Sequence, residues 1–324
     1  MDREGALAAA AAFGVRADDA VELSGGYVNE VWLTAPQRAV VRAYGRLHVS
    51  RHALRFEHSV IQHAAQKIRM VAPPRTDPQG RTFRLIGGAF VAVFAYIEGS
   101  TGDRGAQAGA ACAQALAAFH RAMADFHPGT GARAVRSLGI LPWFRERILR
   151  LSSDRLLARS VAWDDVLQGC ADATVGIAGV GSTLPILVVH GDPHPDNFVI
   201  ENGAVRGLLD FDFAHETERV YDVATAIDAF SREDEDAPLD IEAGRALARA
   251  YHAAAPLTPE EWYVIPDMML RRNAALVWHV VNAHSARRPG DVGNAARYVA
   301  RINEIRARAH ELRGLGPRRT EAAL

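Results

Sequence analysis

Two polar turns, each following a short apolar run, constrain this chain more than any other feature of its sequence. The first turn spans residues 190–197, with the sequence HGDPHPDN, and follows the apolar run 184–189. The second turn, residues 210–212 (DFD), follows the short strand-like run 205–209, which begins with valine and ends with two leucines. Short apolar runs bounded by Gly, Pro, Asp and Asn are typical of buried strands that end in turns. The pattern therefore predicts two strand-to-turn units close together in the chain.

The side chains in these turns are the ones that phosphoryl transfer requires. Protein catalysis of that reaction consists mainly of positioning the nucleophile and neutralising phosphate charge. Asp192 can orient a hydroxyl and accept its proton as a general base. Asn197 offers an amide oxygen and Asp210 a carboxylate, and Mg²⁺ prefers such hard oxygen ligands. Taken together the turns predict transfer of a phosphoryl group from Mg·ATP to a hydroxyl, although each turn alone is also an ordinary polar turn.

The composition argues against several other classes of protein. About half of the 324 residues are apolar (49%), which suffices for one large or two modest domains. The 37 Lys and Arg nearly balance the 38 Asp and Glu, so we expect neither nucleic acid nor a membrane as partner. Cys112 and Cys170 lack Cys or His neighbours at metal-ligand spacing, which predicts no disulfide framework, no zinc site and a cytoplasmic location. The alanine-rich run 6–12 is too short to span a bilayer and predicts a first helix.

The hydrophobic pattern changes character near residue 98. Before that point alternation predicts strands, and a helical spacing of apolar residues predicts one helix over 50–66 with Ser50 as its N-cap. The predicted strands are two within 20–33, then 38–44, 82–86 and 90–96. Beyond residue 98 helical periodicity dominates. The predicted helices are 106–126, 142–157, 163–177 and a series from about 220 to the end, with short strands at 184–189, 198–201 and 205–209.

This organisation predicts an α+β protein with a bilobal, protein-kinase-like fold. Residues 1–97 would form a small nucleotide-binding lobe, an antiparallel sheet with one helix. Residues 98–324 would form a larger helical lobe that carries the two polar turns and the acceptor site.

The first turn resembles the catalytic loop of the aminoglycoside phosphotransferase and choline kinase superfamily. Members carry His-Gly-Asp-x-His-x-x-Asn and a later aspartate on the metal, and residues 190–197 match at each of those positions. Residues 221–224 (YDVA) are similar to the family's Tyr-Asp-Leu-Ala element, whose aspartate is structural. The resemblance implies that Asp192 is the catalytic base, that Asn197 and Asp210 bind the metal, and that ATP and Mg²⁺ are the cofactors. It is strong over 184–226 and looser over most of the remaining chain.

The resemblance also implies a phosphate-binding region in the first hundred residues. Residues 24–30 (SGGYVNE) would be the loop over the ATP phosphates, with Ser24, Gly25, Gly26 and Asn29 near the anion. By itself this segment is equally an ordinary hairpin turn.

Arg42 stands in the predicted strand 38–44 where the family has a lysine. Arginine binds phosphate bidentately and keeps its charge, but its geometry differs from that of an ammonium group. Its expected partner is Glu57 on the following helix. The alternative is that the two residues do not pair, and that Arg42 is a solvated strand arginine and Glu57 an ordinary surface glutamate. Residues 94–99 would be the hinge beside the adenine, which adds Phe94 and Tyr96 to the candidate site, although their apolar surroundings equally suit a core strand.

The sequence determines the phosphate acceptor less well. Asp212 is either a second metal contact or a residue that holds its loop. Glu216 and the acidic run 233–236 can meet a cationic substrate, and Arg271 and Arg272 can meet a carboxylate. Charged runs of this kind are also common on solvated faces. Residues 210–214, 221–224 and 266–275 look most like the bacterial homoserine kinase branch, which implies an amino-acid acceptor. Related branches phosphorylate sugars, amino alcohols and antibiotics, so an antibiotic resistance kinase is an alternative.

Two further classes of function remain as alternatives. A serine/threonine protein kinase would carry a long activation segment, whereas only 212–220 separate the metal aspartate from the next predicted helix. A catalytically inactive nucleotide-binding protein would have lost the base or a metal ligand. The base Asp192 and the metal ligands Asn197 and Asp210 are all present in the sequence. We therefore expect an enzyme with a small-molecule hydroxyl substrate, as a monomer or a homodimer, and the sequence does not distinguish ATP from GTP.

Overall fold

The computed structural model describes residues 1–23, 29–45, 50–127, 135–152, 161–180, 183–285 and 292–317. These residues form two compact units, each assembled from separate segments of the chain. The first unit comprises the described residues of Met1–Ser100, Asp125–Ala132 and Val199–Asp212. The second comprises those of Thr101–Ala124, Arg133–Phe198 and Phe213–Leu324. The division of the sequence into lobes 1–97 and 98–324 stays a prediction.

The described elements follow one another as a strand-rich part and a helix-rich part. In chain order they are α1 (Arg3–Ala12), β1 (Ala17–Glu22), β2 (Glu30–Pro36), β3 (Ala39–Tyr44), α2 (Arg51–Ala65), β4 (Arg84–Ile86), β5 (Ala89–Ala95), α3 (Ala106–Met123), α4 (Ser137–Ser152), α5 (Trp163–Val180), β6 (Ile186–Val189), β7 (Phe198–Glu201), β8 (Ala204–Leu208), β9 (His215–Glu218), α6 (Val220–Phe230), α7 (Ile241–Ala254), α8 (Pro259–Tyr263), α9 (Ile265–Ser285), α10 (Val292–Ala307) and α11 (Ala309–Arg313).

The first unit is built on a five-stranded antiparallel sheet with the order β1-β2-β3-β5-β4. β3 lies in the middle, where Val41 is fully buried and Arg42 is in register with Val31 on one side and Ala92 on the other. The alanine-rich α1 packs its buried face, including Ala6 and Ala10, into the same apolar cluster as Val41. The predicted antiparallel sheet of this region is confirmed.

α2 begins where its sequence predicts, because Ser50 caps it. The Ser50 hydroxyl accepts a hydrogen bond from the backbone N–H of Ala53 at 3.1 Å, which satisfies one of the free N–H groups of the first turn. The inward face of α2 carries Leu54, Glu57 and Ile61, all buried. A carboxylate on this buried face is unusual and indicates a specific partner.

A tight hairpin of β7 and β8 leads into the second polar turn. Asn202 and Gly203 connect the two strands with φ values of 52° and 75°, the left-handed conformation that two-residue hairpin turns require. β8 ends at Leu208, so that only Leu209 separates the strand from Asp210. Local turn chemistry thus fixes where the second polar turn begins.

The second unit is mainly helical, as predicted, but contains a strand that the sequence analysis missed. β9 pairs with β6 in an antiparallel ribbon, with Thr217 opposite Leu187 and His215 opposite Val189. The predicted helix 142–157 begins earlier than predicted, because α4 starts at Ser137, and residues 153–157 of the prediction lie outside the described residues. Within the ranges given above, no helix is long and apolar enough to cross a membrane.

Candidate active site

In the first unit Arg42 is surrounded by acidic side chains. Its guanidinium lies 2.9 Å from Oδ1 of Asp210, 2.8 Å from Oδ2 of Asp212 and 4.0 Å from Oε1 of Glu57. The side chains of Arg42, Asp212 and Glu57 are 11%, 23% and 8% exposed, so water screens these pairs weakly, whereas Asp210 is 44% exposed and more strongly screened. The predicted partner Glu57 is therefore present but is the most distant of three.

The cluster around Arg42 holds more acidic groups than basic ones. Burial alone would lower the pKa of Arg42, but Asp210 and Asp212 raise that pKa well above its usual value. Burial raises the pKa of Glu57 to about 8, against the opposing effect of Arg42. Burial likewise raises the pKa of Asp212, again opposed by Arg42. Glu57 is therefore largely protonated at neutral pH, but Asp210 and Asp212 still outnumber the one guanidinium, and this surplus favours the binding of an added cation.

The oxygen atoms of the cluster fit a hard divalent cation. Oδ2 of Asp212 accepts a hydrogen bond from Nδ2 of Asn29 at 2.7 Å, whereas Oδ1 of Asp212 is buried with no hydrogen-bond partner among the described residues. Within the described part of the chain no group of three or more His, Cys, Asp or Glu side chains could hold a metal ion. A cation here would need further oxygen ligands from outside the protein, which is usual for Mg²⁺.

The backbone of Asp210 adopts a conformation that is rare for its residue type. Its φ of 60° lies in the left-handed region, shared among described non-glycine residues only with Asn202. Aspartate tolerates this region better than most residues, at a cost of roughly 1–2 kcal/mol. Its carboxylate also lies 3.4 Å from the backbone N–H of Asp212. Strained residues concentrate at functional sites, and the strain here accompanies the contact of Asp210 with Arg42.

In the second unit the first polar turn places Asp192 against Arg272 of α9. Nη2 of Arg272 donates a hydrogen bond to Oδ1 of Asp192, and the two side chains are 13% and 14% exposed. Nε2 of His194 lies 3.5 Å from Oδ2 of the same carboxylate. Burial opposes ionisation of Asp192, but Arg272 and His194 hold its pKa well below the usual range. Asp192 is therefore ionised at neutral pH.

Asp222 of α6 holds the backbone of the same turn. Its fully buried carboxylate accepts hydrogen bonds from the N–H groups of His190 at 2.7 Å and Gly191 at 2.8 Å, and lies 2.9 Å from Nε2 of His120. Gly191 has a φ of 87°, and a Cβ there would lie 2.1 Å from the carbonyl oxygen of Phe213. Only glycine fits this position. The structural role that the resemblance implies for Asp222 is thus visible in its contacts.

Asn197 closes the turn that carries Asp192. It ends the short 3₁₀ turn Pro195–Asn197, is 6% exposed, and donates a hydrogen bond from Nδ2 to the carbonyl oxygen of Asp192 at 2.9 Å. The amide nitrogen, and not the oxygen, makes this bond. The orientation of the amide therefore suits a role in which Oδ1 contacts a cation.

The remaining candidates of the first unit are used in packing or lie outside the described residues. Ser24, Gly25 and Gly26 belong to the latter group. The ring of Phe94 packs edge-on against His58 at 6.0 Å between centroids, and the guanidinium of Arg38 lies 3.8 Å over the ring of Tyr96.

The acceptor candidates Glu216 and Arg271 have partners within the second unit. Glu216 pairs with Arg136. Arg271 is 2% exposed; it donates to the hydroxyl of Ser137 at 2.8 Å and lies 3.4 Å from Glu218 of β9. This burial favours a structural role for Arg271 and leaves Arg272 as the neighbouring arginine that faces Asp192.

The acidic run 233–236 is also tied to arginines of the second unit. Glu235 pairs with Arg104 and with Arg301, and Asp236 pairs with Arg297. These pairs give the run a structural use that does not involve a cationic substrate.

Three residues of the site were missed or only partly recognised from sequence. His120 contacts Asp222 from a position 102 residues earlier, and Ser137 joins Arg271 across 134 residues. Arg272 was recognised as a candidate for a carboxylate, but not as the partner of the base. A single sequence carries no signal for pairings at such separations.

The fold and the two polar turns define a class of protein, the kinase-like phosphotransferases. The chain matches the sequence model of the phosphotransferase enzyme family over residues 19–257, and it belongs to that family.

Two relatives by sequence are homoserine kinases. The chain is 30% identical to the homoserine kinase of Xanthobacter autotrophicus over 238 residues, which cover 70% of this chain and 68% of that protein. It is 38% identical to the homoserine kinase of Phenylobacterium zucineum over 101 residues, 31% of this chain, and spans only 30% of that protein's length.

A solved structure with the same fold is spectinomycin phosphotransferase in complex with ADP and spectinomycin. The TM-score is 0.69, with 96% of this chain and 99% of that chain covered, at 10% sequence identity. At this identity the likeness establishes the fold alone. The predicted α+β, protein-kinase-like fold is thereby confirmed.

Proposed function

We propose that this protein is an ATP-dependent O-phosphotransferase that phosphorylates the hydroxyl of a small amino acid of the homoserine type. The observation that carries the proposal is Asp192, a buried carboxylate kept ionised by Arg272 in a turn whose backbone is fixed by Asp222. A rigidly held carboxylate can orient a hydroxyl and accept its proton as the new bond to phosphorus forms.

The proposal assigns the cation to Asn197 and Asp210. Mg²⁺, when bound with ATP, would neutralise phosphate charge, which is the main electrostatic requirement of this reaction. The proton of the acceptor hydroxyl would pass to the Asp192 carboxylate. Arg42 would turn from its aspartate partners toward the phosphates once a cation balances those aspartates. The remaining nucleotide-binding assignments also stay proposals: Ser24, Gly25, Gly26 and Asn29 at the phosphates, Glu57 beside Arg42, and Phe94 and Tyr96 at the adenine.

Arg272 supports an acceptor that carries a carboxylate. An amino-acid carboxylate would compete with Asp192 for the guanidinium, which offers several N–H donors in a planar fork. Homoserine has both this carboxylate and a primary hydroxyl, and the relatives by sequence are homoserine kinases. The likeness to spectinomycin phosphotransferase makes an antibiotic the alternative acceptor.

The first experiment measures acceptor-dependent release of ADP from Mg·ATP. L-Homoserine, ethanolamine and spectinomycin are compared, and we expect L-homoserine to give the highest kcat/KM. Asp192→Asn should lower that value about 10²- to 10⁴-fold. Asp196→Asn is the matched control, because Asp196 lies in the same turn with its side chain 62% exposed. Equal losses in the two variants, or undiminished turnover by Asp192→Asn, would contradict the assignment of the base.

A second experiment tests the acceptor class through Arg272. The wild-type protein should prefer L-homoserine over L-homoserine amide, which lacks the carboxylate charge, and Arg272→Gln should lose at least about tenfold of that preference. The loss should appear in KM for L-homoserine. If Arg272→Gln discriminates between the two acceptors as well as the wild type does, Arg272 does not bind the carboxylate.

A further inference from the structure

A cleft of about 560 Å³ lies in the first unit between α2 and the segment 80–90. Helix α2 contributes Arg51, Arg55, His58 and Gln62 to its wall. These four residues follow one another at spacings of four, three and four positions, which places them on one stripe of the helix. Arg51, Arg55 and Gln62 are exposed, whereas His58 is buried next to the inward face that carries Glu57. The cleft is therefore a separate feature from the acidic cluster around Arg42.

The charge of the cleft is strongly positive. Arg81 and Arg84 face the two arginines of α2. Asp77 lies 2.7 Å from Nε of Arg81 and 3.8 Å from Nε of Arg84. Arg51 and Arg55 have no carboxylate partner within the described ranges. Four guanidinium groups thus share one carboxylate, and a cleft with this imbalance attracts anions.

Part of the cleft is apolar. The rings of Phe83 and Phe90 line it and pack edge to face, with 5.6 Å between their centroids. Leu85 also lines it and is 58% exposed. A large apolar side chain this exposed, beside aromatic rings and arginines, suits a ligand with an anionic group and an apolar body. The volume lies within the usual range of about 300–1,000 Å³ for small-molecule sites.

We propose that this cleft binds a small molecule that carries a phosphate monoester on an apolar or planar body. The planar guanidinium groups of Arg51 and Arg55 match phosphate oxygens in bidentate geometry, and the aromatic rings contact the body. The site does not depend on the proposed kinase activity, because none of its arginines is assigned to that reaction.

One wall of the cleft is hydrogen-bonded toward the acidic cluster. Nδ1 of His58 lies 2.7 Å from the hydroxyl of Thr82, and Nε2 of His58 lies 3.1 Å from the hydroxyl of Tyr44. Tyr44 in turn donates to Oε1 of Glu57 at 3.0 Å. Occupation of the cleft can therefore be transmitted to the partners of Arg42 through buried groups of the same unit.

Calorimetric titration with phenyl phosphate tests the proposal. The full-length protein is first saturated with Mg·ADP, so that the nucleotide site does not contribute. We expect saturable binding with a Kd below about 1 mM, an affinity of at least about 4 kcal/mol. The Arg51→Ala/Arg55→Ala double variant should weaken binding by at least about tenfold, because it removes the charge-assisted hydrogen bonds of two guanidinium groups to the phosphate. Inorganic phosphate should bind more weakly than phenyl phosphate, since it lacks the ring.

The matched control is Arg16→Ala/Arg69→Ala, which removes two exposed arginines of the same unit that do not line the cleft. This control should bind phenyl phosphate as the wild type does. Absence of saturable binding to the wild type, or equal weakening in the two double variants, would overturn the site. Equal affinity for inorganic phosphate and phenyl phosphate would overturn the assignment of an apolar body. Arg51 and Arg55 are exposed, so the Arg51→Ala/Arg55→Ala variant should unfold at the same midpoint as the wild type. An unchanged midpoint shows that this variant is folded.

Discussion

The guanidinium of Arg42 lies 2.9 Å from Oδ1 of Asp210, although the two residues are 168 positions apart in the chain. Arg42 is buried while the side chain of Asp210 is 44% exposed, and the less exposed Asp212 and Glu57 add two further acids. A buried charge cluster with a surplus of one sign is stable only while its counterion is in place. This relationship makes the stability of the first unit depend on Arg42 and its acidic partners.

Replacement of Arg42 should cost stability that a divalent cation partly restores. Arg42→Ala leaves three acidic groups without their guanidinium, and we expect it to lower the free energy of unfolding by about 3–5 kcal/mol. Mg²⁺ at millimolar concentration should raise the unfolding midpoint of Arg42→Ala more than that of the wild type, because the aspartates become available to the ion. Urea unfolding with and without Mg²⁺ measures both effects. Arg206→Ala is the control, because it removes only a surface pair with Glu201; a Mg²⁺ effect equal in all three proteins would contradict the interpretation.

Gly191→Ala should damage the turn that carries Asp192. Its φ of 87° and the 2.1 Å approach of a Cβ to the oxygen of Phe213 add a clash to the conformational cost, so a loss of more than about 2 kcal/mol is expected. Gly14→Ala provides the comparison, because Gly14 has a φ of 71° with open space around it and should lose only about 1–2 kcal/mol. Activity should fall at least about tenfold in Gly191→Ala and persist in Gly14→Ala. Similar losses in both variants would mean that the clash is relieved by movement of the turn.

Asp267 should make the protein less stable as the pH rises. Burial raises the pKa of this 2% exposed carboxyl from 3.8 to about 6, although Arg313 opposes the shift. The folded pKa lies above the unfolded value, so the folded state is favoured at low pH and loses stability as the pH rises from about 4 through 6. A shift of this size corresponds to about 3 kcal/mol.

The Asp267→Asn variant isolates this effect. The difference in the free energy of unfolding, variant minus wild type, should increase by up to about 3 kcal/mol between pH 4 and pH 7. Chemical denaturation at each pH measures that difference, and the titration of all other groups cancels in it. A difference that stays flat over this interval, or decreases, would contradict the raised pKa.

Tyr44→Phe should disconnect the arginine-lined cleft from the acidic cluster. The Tyr44 hydroxyl joins Glu57 to His58, and its removal leaves buried polar groups unpaired at a cost of about 1–3 kcal/mol. In the wild type, saturating phenyl phosphate should change the Kd of Mg·ADP by about fivefold or more, whereas in Tyr44→Phe it should not. Titration of nucleotide with and without phenyl phosphate measures this. An unchanged Kd in the wild type would show that the cleft and the cluster are independent.

Local signals in the sequence predicted much of the fold. The cap at Ser50 and the apolar spacing after it predicted a helix over 50–66, and α2 spans Arg51–Ala65. β9 was missed because its sequence, His-Glu-Thr-Glu, has no apolar alternation. Its buried Glu218 is instead compensated by Ser137, 81 residues away, and by Arg271, 53 residues away. A strand stabilised by distant polar partners leaves no periodic pattern to detect.

The candidate site likewise contains residues that the sequence predicts and partners of those residues that it does not predict. The residues of the two polar turns could be predicted, because their types and spacing fit one chemistry. Their partners could not, because Arg272 reaches Asp192 from a helix 80 residues further along the chain. Arg42 likewise lies closer to Asp210 than to Glu57, although Asp210 is 168 positions away in the chain. Only the folded arrangement of these segments reveals this contact.

The discontinuous construction of the first unit has a consequence during biosynthesis. Its sheet and α2 leave the ribosome early, but Asp210 and Asp212 follow Arg42 by about 170 residues. At a synthesis rate of roughly 5–20 residues per second, this delay lasts on the order of 10–30 s. Throughout that interval the nascent chain carries an arginine in the middle of its sheet without the two aspartates that neutralise it. Completion of this unit is thus a late event of translation, although most of its residues are made first.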